Sequence, residues 1–194
     1  MMNKEFWIQR YKLLKQRGTV GSMSWNITQK VIDFNNEIRQ YIEGKFYTVI
    51  DFGCGTAKNT TFLMDVFKAR KYIGYDLIDF VIAENRKKYP NVEFAVFDED
   101  TKLEKADCIF SSFVLQHIND KDFEMVLGMF RKALKPKGKI YIINCIDIKT
   151  NTGTMFFRGK SRHDYFFNKA KLKSELIYHT KINGSTIGLF EVTK

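Results

Sequence analysis

From residue 46 onward, the sequence alternates between short runs rich in β-branched and aromatic residues and longer segments with helical periodicity. The runs that predict strands are residues 46–52, 71–76, 92–98, 106–113, 139–146, 175–182 and 185–193. Helices are predicted at 58–70, 77–89 and 120–135, because apolar residues recur there at i, i+3 and i+4. Strands that alternate with helices are joined by right-handed crossovers, so the pattern predicts an α/β fold with a mostly parallel sheet covered on both faces.

The last two predicted strands do not follow this alternation. Only Asn183 and Gly184 separate them, and this dipeptide is typical of a type I′ turn, in which both central residues have positive φ. The sequence therefore predicts that the sheet ends in an antiparallel hairpin.

Two more helices are predicted before residue 46, at about 3–16 and 27–42. The sequence between them, RGTVGSMSWN, contains glycine and serine and predicts a flexible link. We expect a single domain over residues 1–194, with a helical part at 1–45 and an α/β core at 46–194.

Composition argues against several classes of protein. The three cysteines lie far apart in the sequence and the three histidines have no metal-ligand spacing, so we expect reduced thiols and no metal site. No apolar run approaches the roughly 20 residues that a membrane helix needs. The first residues, MMNKEFWIQRYKLL, are amphipathic and lack the apolar core of a secretory signal. These features predict a cytoplasmic protein that does not enter the membrane.

The chain carries a formal net charge of +10. One interpretation is that the lysines provide solubility. The other is that they form a basic rim around an anionic substrate or a nucleic acid. Charge alone does not decide between these two interpretations.

The loop after the first predicted strand reads TVIDFGCGTAKNT at residues 48–60. In open α/β sheets, ligands bind beyond the carboxyl ends of the strands. A dinucleotide fingerprint that starts at Gly53 would need a third glycine where Lys58 stands, and no G-K-[ST] sequence of a P-loop is present. Asp51 would also repel a pyrophosphate, whereas it would attract a cationic ligand.

The pattern Asp51-x-Gly53-x-Gly55-x-Ala57 resembles the first motif of the class I, Rossmann-like S-adenosylmethionine-dependent methyltransferases. The resemblance covers roughly residues 46–194, and Ala57 replaces the usual third glycine. It implies a seven-stranded sheet of order 3-2-1-4-5-7-6. It also implies S-adenosyl-L-methionine as the cofactor and S-adenosyl-L-homocysteine as the product.

The resemblance also implies roles for residues at successive strand ends. The loop backbone at Gly53, Cys54 and Gly55 would approach the methionyl part of the cofactor, and Asp51 would lie near its ammonium group. The remaining positions match the family as follows: Asp76 for the ribose hydroxyls, Leu77 and Ile78 for the adenine face, Asp98 or alternatively Glu99 for the adenine amino group, and Ser112 with Phe113 for the border of the transfer site.

Three groups of residues are candidates for the acceptor side. His117 follows the fourth predicted strand and is our candidate general base, with ordering of its loop as the alternative role. Trp7, Arg10 and Tyr11 share one helical face with Leu14 and would belong to an amino-terminal lid or simply pack. The segment 152–167 carries Arg158 and Arg162, which would clamp a phosphate or carboxylate unless the segment is a solvated loop.

The resemblance predicts a methyltransferase that acts on oxygen or nitrogen of a small metabolite, with a phosphate- or carboxylate-bearing acceptor as one option. Two alternatives stay open. RNA or protein is the acceptor in the first, and in the second the chain is a non-catalytic cofactor-binding scaffold. Nucleic acid is not favoured, because the position of an Asn-Pro-Pro-Tyr motif reads SSFV and no added RNA-binding domain is apparent. The sequence leaves the oligomeric state open.

Overall fold

The computed structural model describes residues 4–16, 29–42, 44–147 and 149–194. The predicted glycine- and serine-containing link lies outside these residues. Six α-helices are described: α1 Lys4–Gln16, α2 Gln29–Ile38, α3 Thr60–Phe67, α4 Asp79–Lys88, α5 Asp120–Ala133 and α6 Lys160–Lys169. Seven β-strands are described: β1 Thr48–Phe52, β2 Lys71–Asp76, β3 Glu93–Val96, β4 Ala106–Ser112, β5 Leu134–Cys145, β6 Lys173–Ile182 and β7 Ser185–Thr193.

The seven strands form one sheet in the order β3-β2-β1-β4-β5-β7-β6. This order confirms the predicted fold class. The described chain divides after Thr101 into two compact units. A single domain over the whole chain stays a prediction.

The amino-terminal unit contains three parallel strands, in which β1 pairs with β2 and β2 pairs with β3. Every residue of β1 is buried, as expected for a strand covered on both faces. The apolar side chains Ile78 and Val81, just after β2, form a small core with Tyr11 of α1. The first helix therefore belongs to the packing of this unit.

The carboxy-terminal unit combines parallel and antiparallel pairing. Strands β4 and β5 are parallel, whereas β7 is antiparallel to both β5 and β6. Asn183 and Gly184 have φ values of 50° and 77° between β6 and β7, so both central residues of the predicted hairpin turn have positive φ. The predicted hairpin is therefore confirmed.

Helix α6 was not predicted and occupies the second half of the 152–167 segment. It forms because His163, Phe166 and Phe167 recur at i, i+3 and i+4 and are all buried. Their rings contact Phe123 of α5. The same spacing is visible in the sequence, but the charged residues Lys160, Arg162, Asp164 and Lys169 in and around it obscure the apolar face.

None of the described helices has the length and apolar character required to cross a membrane.

Candidate active site

The glycine loop leaves β1 with a backbone that favours glycine. Gly53 has φ 75° and Gly55 has φ 51°, values in the left-handed region. The N–H groups of Gly53 and Cys54 donate to the carbonyl of Tyr75 on β2, at 2.8 and 2.9 Å. Ala57 has φ 58° and is completely buried, so the position of the missing third glycine keeps the left-handed backbone with a methyl group added.

Asp76 ends β2 and fastens the glycine loop. Its Oδ2 accepts a hydrogen bond from the N–H of Gly55 at 2.9 Å, and its Oδ1 accepts one from the N–H of Ile78 at 3.1 Å. The N–H of Leu77 also hydrogen-bonds to this carboxylate, which leaves about one of its four lone-pair sites for a further donor. Burial raises the pKa of Asp76, and the backbone N–H groups partly oppose this shift. These features fit a ligand that presents a hydroxyl group.

Asp51 is buried on β1, and its Oδ2 accepts a hydrogen bond from the Tyr72 hydroxyl at 2.7 Å. Burial raises the pKa of Asp51 to about 7, the Tyr72 hydrogen bond opposes this shift, and the charge of Asp76 adds to it. The Asp76 carboxylate therefore repels the charged form of Asp51, and Lys58 offsets this repulsion only in part. A cationic ligand would relieve that repulsion, whereas a pyrophosphate would increase it. The residues present thus fit a sulfonium cofactor with an ammonium group.

Cys54 is buried beneath the loop. Burial, together with the charges of Asp76 and Asp51, raises the pKa of its thiol well above the ordinary value. The side chain of Asn85 on α4 donates to the carbonyl of Gly55 at 2.7 Å and lies 3.9 Å from the Cys54 sulfur. Cys54 is therefore a packed neutral thiol, and it contributes its backbone to the loop.

Three residues that were not predicted from the sequence support this loop: Asn85, Tyr72 and Thr60. Asn85 is buried on α4 four residues after Val81, so a polar residue on an apolar helix face was the available signal. Tyr72 and Thr60 had no local signal, since the hydrogen bonds of Tyr72 connect positions 12 and 21 residues away.

The other predicted adenosine contacts differ in exposure. Leu77 is half-buried and packs against the small core of Tyr11, Ile78 and Val81. Asp98 and Glu99 are exposed after β3, and Oδ1 of Asp98 accepts a hydrogen bond from Thr101.

Helix α1 covers the segment that follows Asp76. Trp7 packs against the same small core, and Tyr11 is only 1% exposed. The Tyr11 hydroxyl donates to Glu84 of α4, which also accepts from Lys15 at 2.5 Å. Arg10 is half-buried on the same helix. The predicted face of α1 therefore packs, and its function as a lid stays a prediction.

Ser112 and Phe113 lie in the carboxy-terminal unit, where Ser112 ends β4 half-buried. Phe113 is buried with φ 58°, and its N–H donates to the carbonyl of Ile143 at 2.8 Å. The chain thus turns sharply at the end of β4 and enters a 3-10 turn at Leu115–His117.

His117 is half-buried at the end of that turn. Its Nδ1 lies 2.7 Å from the carbonyl of Thr154, so Nδ1 carries the proton that is donated to this oxygen. In the neutral ring Nε2 is then the acceptor, and the Gln116 amide nitrogen lies 3.4 Å from it. Gln116 is oriented because its Oε1 accepts from the N–H of Cys145 at 2.8 Å. The tautomer is that of a proton acceptor at Nε2.

Arg158 and Arg162 do not form the expected clamp. Arg158 is 2% exposed, and its guanidinium donates to Asp120 and to the main-chain carbonyls of Leu115, Phe156 and Ile118. Acceptors of the protein itself therefore bind the N–H groups of Arg158 that an anion would need. Because two of these acceptors are the carbonyls of Leu115 and Ile118, Arg158 holds the turn that carries His117. Arg162 is 55% exposed and also donates to Asp120. Arg158 is therefore not available for the expected clamp, and a contact of Arg162 with the acceptor stays a prediction.

Comparison with known proteins agrees with this geometry. The family described as "Methyltransferase domain" matches residues 49–138. Phosphoethanolamine N-methyltransferase 1 of Triticum aestivum is 31% identical over 73% of this chain and 30% of that protein. Caffeic acid 3-O-methyltransferase of Capsicum annuum is 27% identical over 51% of this chain and 27% of that protein. The chain thus spans less than a third of either plant protein.

A solved structure named "DhpI-SAM-HEP complex" has a TM-score of 0.73 and covers 98% of this chain and 96% of that chain, at 16% identity. At this identity the likeness shows a shared fold and nothing more. Family match, strand order and glycine loop agree with one another. The chain therefore contains a methyltransferase domain with the class I, Rossmann-like fold.

Proposed function

We propose that this chain transfers a methyl group from S-adenosylmethionine to an oxygen or nitrogen atom of a small metabolite. The observation that carries the proposal is the pair of buried or half-buried carboxylates, Asp51 and Asp76, on either side of a left-handed glycine loop. Relatives named for N-methylation of phosphoethanolamine and O-methylation of caffeic acid support a small acceptor.

The cofactor, when bound, supplies a methyl group that is already activated for displacement. This chain then has to hold the cofactor and to orient its methyl group toward the acceptor. The carboxylate of Asp76 would accept a hydrogen bond from a ribose hydroxyl, and Asp51 would face the ammonium group. The backbone of Gly53 and Gly55 would allow the methionyl part of the cofactor to approach closely. We propose Leu77 and the exposed Asp98 or Glu99 for the adenine, with Ser112 and Phe113 bordering the transfer site.

Loss of a proton from a hydroxyl or ammonium acceptor requires a base. We propose His117, because its Nδ1–H donates to the Thr154 carbonyl and leaves Nε2 as the acceptor. The 3.4 Å contact from Gln116 to Nε2 is long, so an acceptor proton would compete with it readily.

We also propose that the acceptor can carry a negative charge and that the chain is located in the cytoplasm. The net charge of +10 supports including phosphate- and carboxylate-bearing acceptors, with the exposed Arg162 as a candidate contact. Trp7 and Arg10 would form part of an amino-terminal lid. We place the chain in the cytoplasm, in agreement with three buried cysteines that form no disulfide.

Release of S-adenosylhomocysteine tests the proposal when it is measured across phosphorylated, carboxylated, phenolic and amine metabolites, with tRNA and a basic protein as further acceptors. We expect turnover with a small acceptor and none with the macromolecules. Turnover on tRNA that falls steeply with salt would instead support an RNA methyltransferase. Tight cofactor binding without turnover on any acceptor would support a non-catalytic scaffold.

A further inference from the structure

Tyr72 lies beneath the glycine loop, where it connects two elements that the loop joins. Its hydroxyl donates to Oδ2 of Asp51 at 2.7 Å and accepts from the Thr60 hydroxyl at 3.0 Å. Asp51 belongs to β1, and Thr60 is the first residue of α3. All three residues are buried. The chain of hydrogen bonds therefore closes the base of the loop at residues 53–59.

Strand register explains how Tyr72 reaches Asp51. In the parallel pairing of β1 and β2, Asp51 lies beside Gly74, and Tyr72 lies two residues earlier on the same face of the sheet. A Cβ atom at Gly74 would lie 2.6 Å from the Phe94 ring and 3.0 Å from the Cys54 sulfur. Glycine at position 74 thus leaves room for the Phe94 ring and the Cys54 sulfur.

We propose that Tyr72 is a positioning residue for the cofactor, which keeps Asp51 ionised and directed at the ammonium group by donating a hydrogen bond to its carboxylate. This inference rests on the proposed cofactor contact of Asp51. Tyr72 itself acts through Asp51 and does not touch the cofactor.

The charges around Asp51 support this role. Burial raises the pKa of Asp51 to about 7; the Tyr72 hydrogen bond lowers it, the charge of Asp76 raises it, and Lys58 lowers it. The pKa of the Tyr72 hydroxyl is raised well above its usual value, mainly by burial, so Tyr72 stays a donor. Cys54 stays neutral because its pKa is also raised. Tyr72 is therefore the neutral donor that favours the charged form of Asp51.

The test is the affinity for S-adenosylhomocysteine, measured by calorimetry for the wild type and Tyr72→Phe between pH 6 and 9. Loss of one hydrogen bond to a charged group corresponds to a rise of about one pKa unit. If only ionised Asp51 binds, the variant should bind about ninefold more weakly at pH 6 and about fivefold more weakly at pH 7. Near pH 9 the two affinities should agree. Titration of the ligand amine cancels in the ratio.

Two further variants keep the test decisive. In an Asp51→Asn background, Tyr72→Phe should have the same effect at every pH, because the titrating group is gone. Tyr141→Phe is the matched control, since it removes a buried hydroxyl that donates to Glu191 at 3.1 Å in the other unit. It should leave the affinity unchanged from pH 6 to 9.

A pH-independent loss of affinity in Tyr72→Phe would overturn the inference and make Tyr72 a packing residue. An unchanged affinity at pH 6 would also overturn it. If Asp51→Asn alone binds as tightly as the wild type at pH 8, the cofactor contact of Asp51 is wrong, and the inference fails with it. Absence of any binding by the folded wild type would contradict the proposed function as well.

Discussion

The carboxylate of Asp76 offers the most direct perturbation of the proposed cofactor site, through Asp76→Ala. The substitution removes the acceptor of the Gly55 and Ile78 N–H groups, at 2.9 and 3.1 Å, together with the proposed acceptor of a ribose hydroxyl. Hydrogen bonds to charged groups contribute about 1.5–3 kcal/mol each. Loss of one ribose bond would then raise the dissociation constant of S-adenosylhomocysteine by about tenfold or more.

Calorimetric titration at pH 8 provides the assay. Asp79→Ala is the matched control, because Asp79 lies three residues away at the start of α4 and is exposed. It removes the same charge and should change the dissociation constant by less than about twofold. The dissociation constant of Asp76→Asn should lie between those of Asp76→Ala and Asp79→Ala, since the asparagine amide nitrogen would face one of the two N–H donors. An unchanged constant for a folded Asp76→Ala protein would refute the ribose assignment.

Three further predictions concern the carboxy-terminal unit. His117→Ala should lower turnover by about 10²-fold or more with little change in cofactor affinity; equal losses in both would make His117 structural. Burial lowers the pKa of His163 to about 4, whereas a histidine in the unfolded chain has a pKa of about 6.5. Between these two values the unfolded chain binds a proton that the folded chain does not bind, so the free energy of unfolding should fall as the pH drops. Chemical denaturation should show about 2 kcal/mol lost between pH 7 and 5 that His163→Gln does not lose. Arg158→Met should cost about 3 kcal/mol of stability, because the main-chain carbonyl groups of Leu115, Phe156 and Ile118 lose their buried donor. Arg162→Met, at an exposed pair, should leave stability nearly unchanged by the same assay.

The order of the strands was predictable because local signals and a family resemblance pointed the same way. Asn183 and Gly184 determine their turn within two residues, and both have the positive φ that this dipeptide favours. The alternation of strand and helix periods depends on which faces are buried, which is also a local property of the sequence.

The site was only partly predictable, since its support comes from contacts between distant positions. Asp76 could be located at a strand end, but its hydrogen bond to Gly55 spans 21 residues. Arg158 was expected to bind a ligand because of its place in the segment 152–167. Its enclosure by main-chain carbonyl groups has no signal in the sequence. Nothing in the sequence distinguishes Tyr72 from another aromatic residue in a strand, because its role depends on the hydrogen bond from its hydroxyl to Asp51.

The packing of α1 affects any study that shortens the chain. Ile78 and Val81 are covered in part by Tyr11, which is itself only 1% exposed. A protein that began after the first helix would present these apolar side chains to water, directly beside the strand end that carries Asp76. Such a truncated protein would tend to self-associate through this new surface. A loss of cofactor binding by the truncated protein would then result from aggregation and would not show that α1 contacts the cofactor.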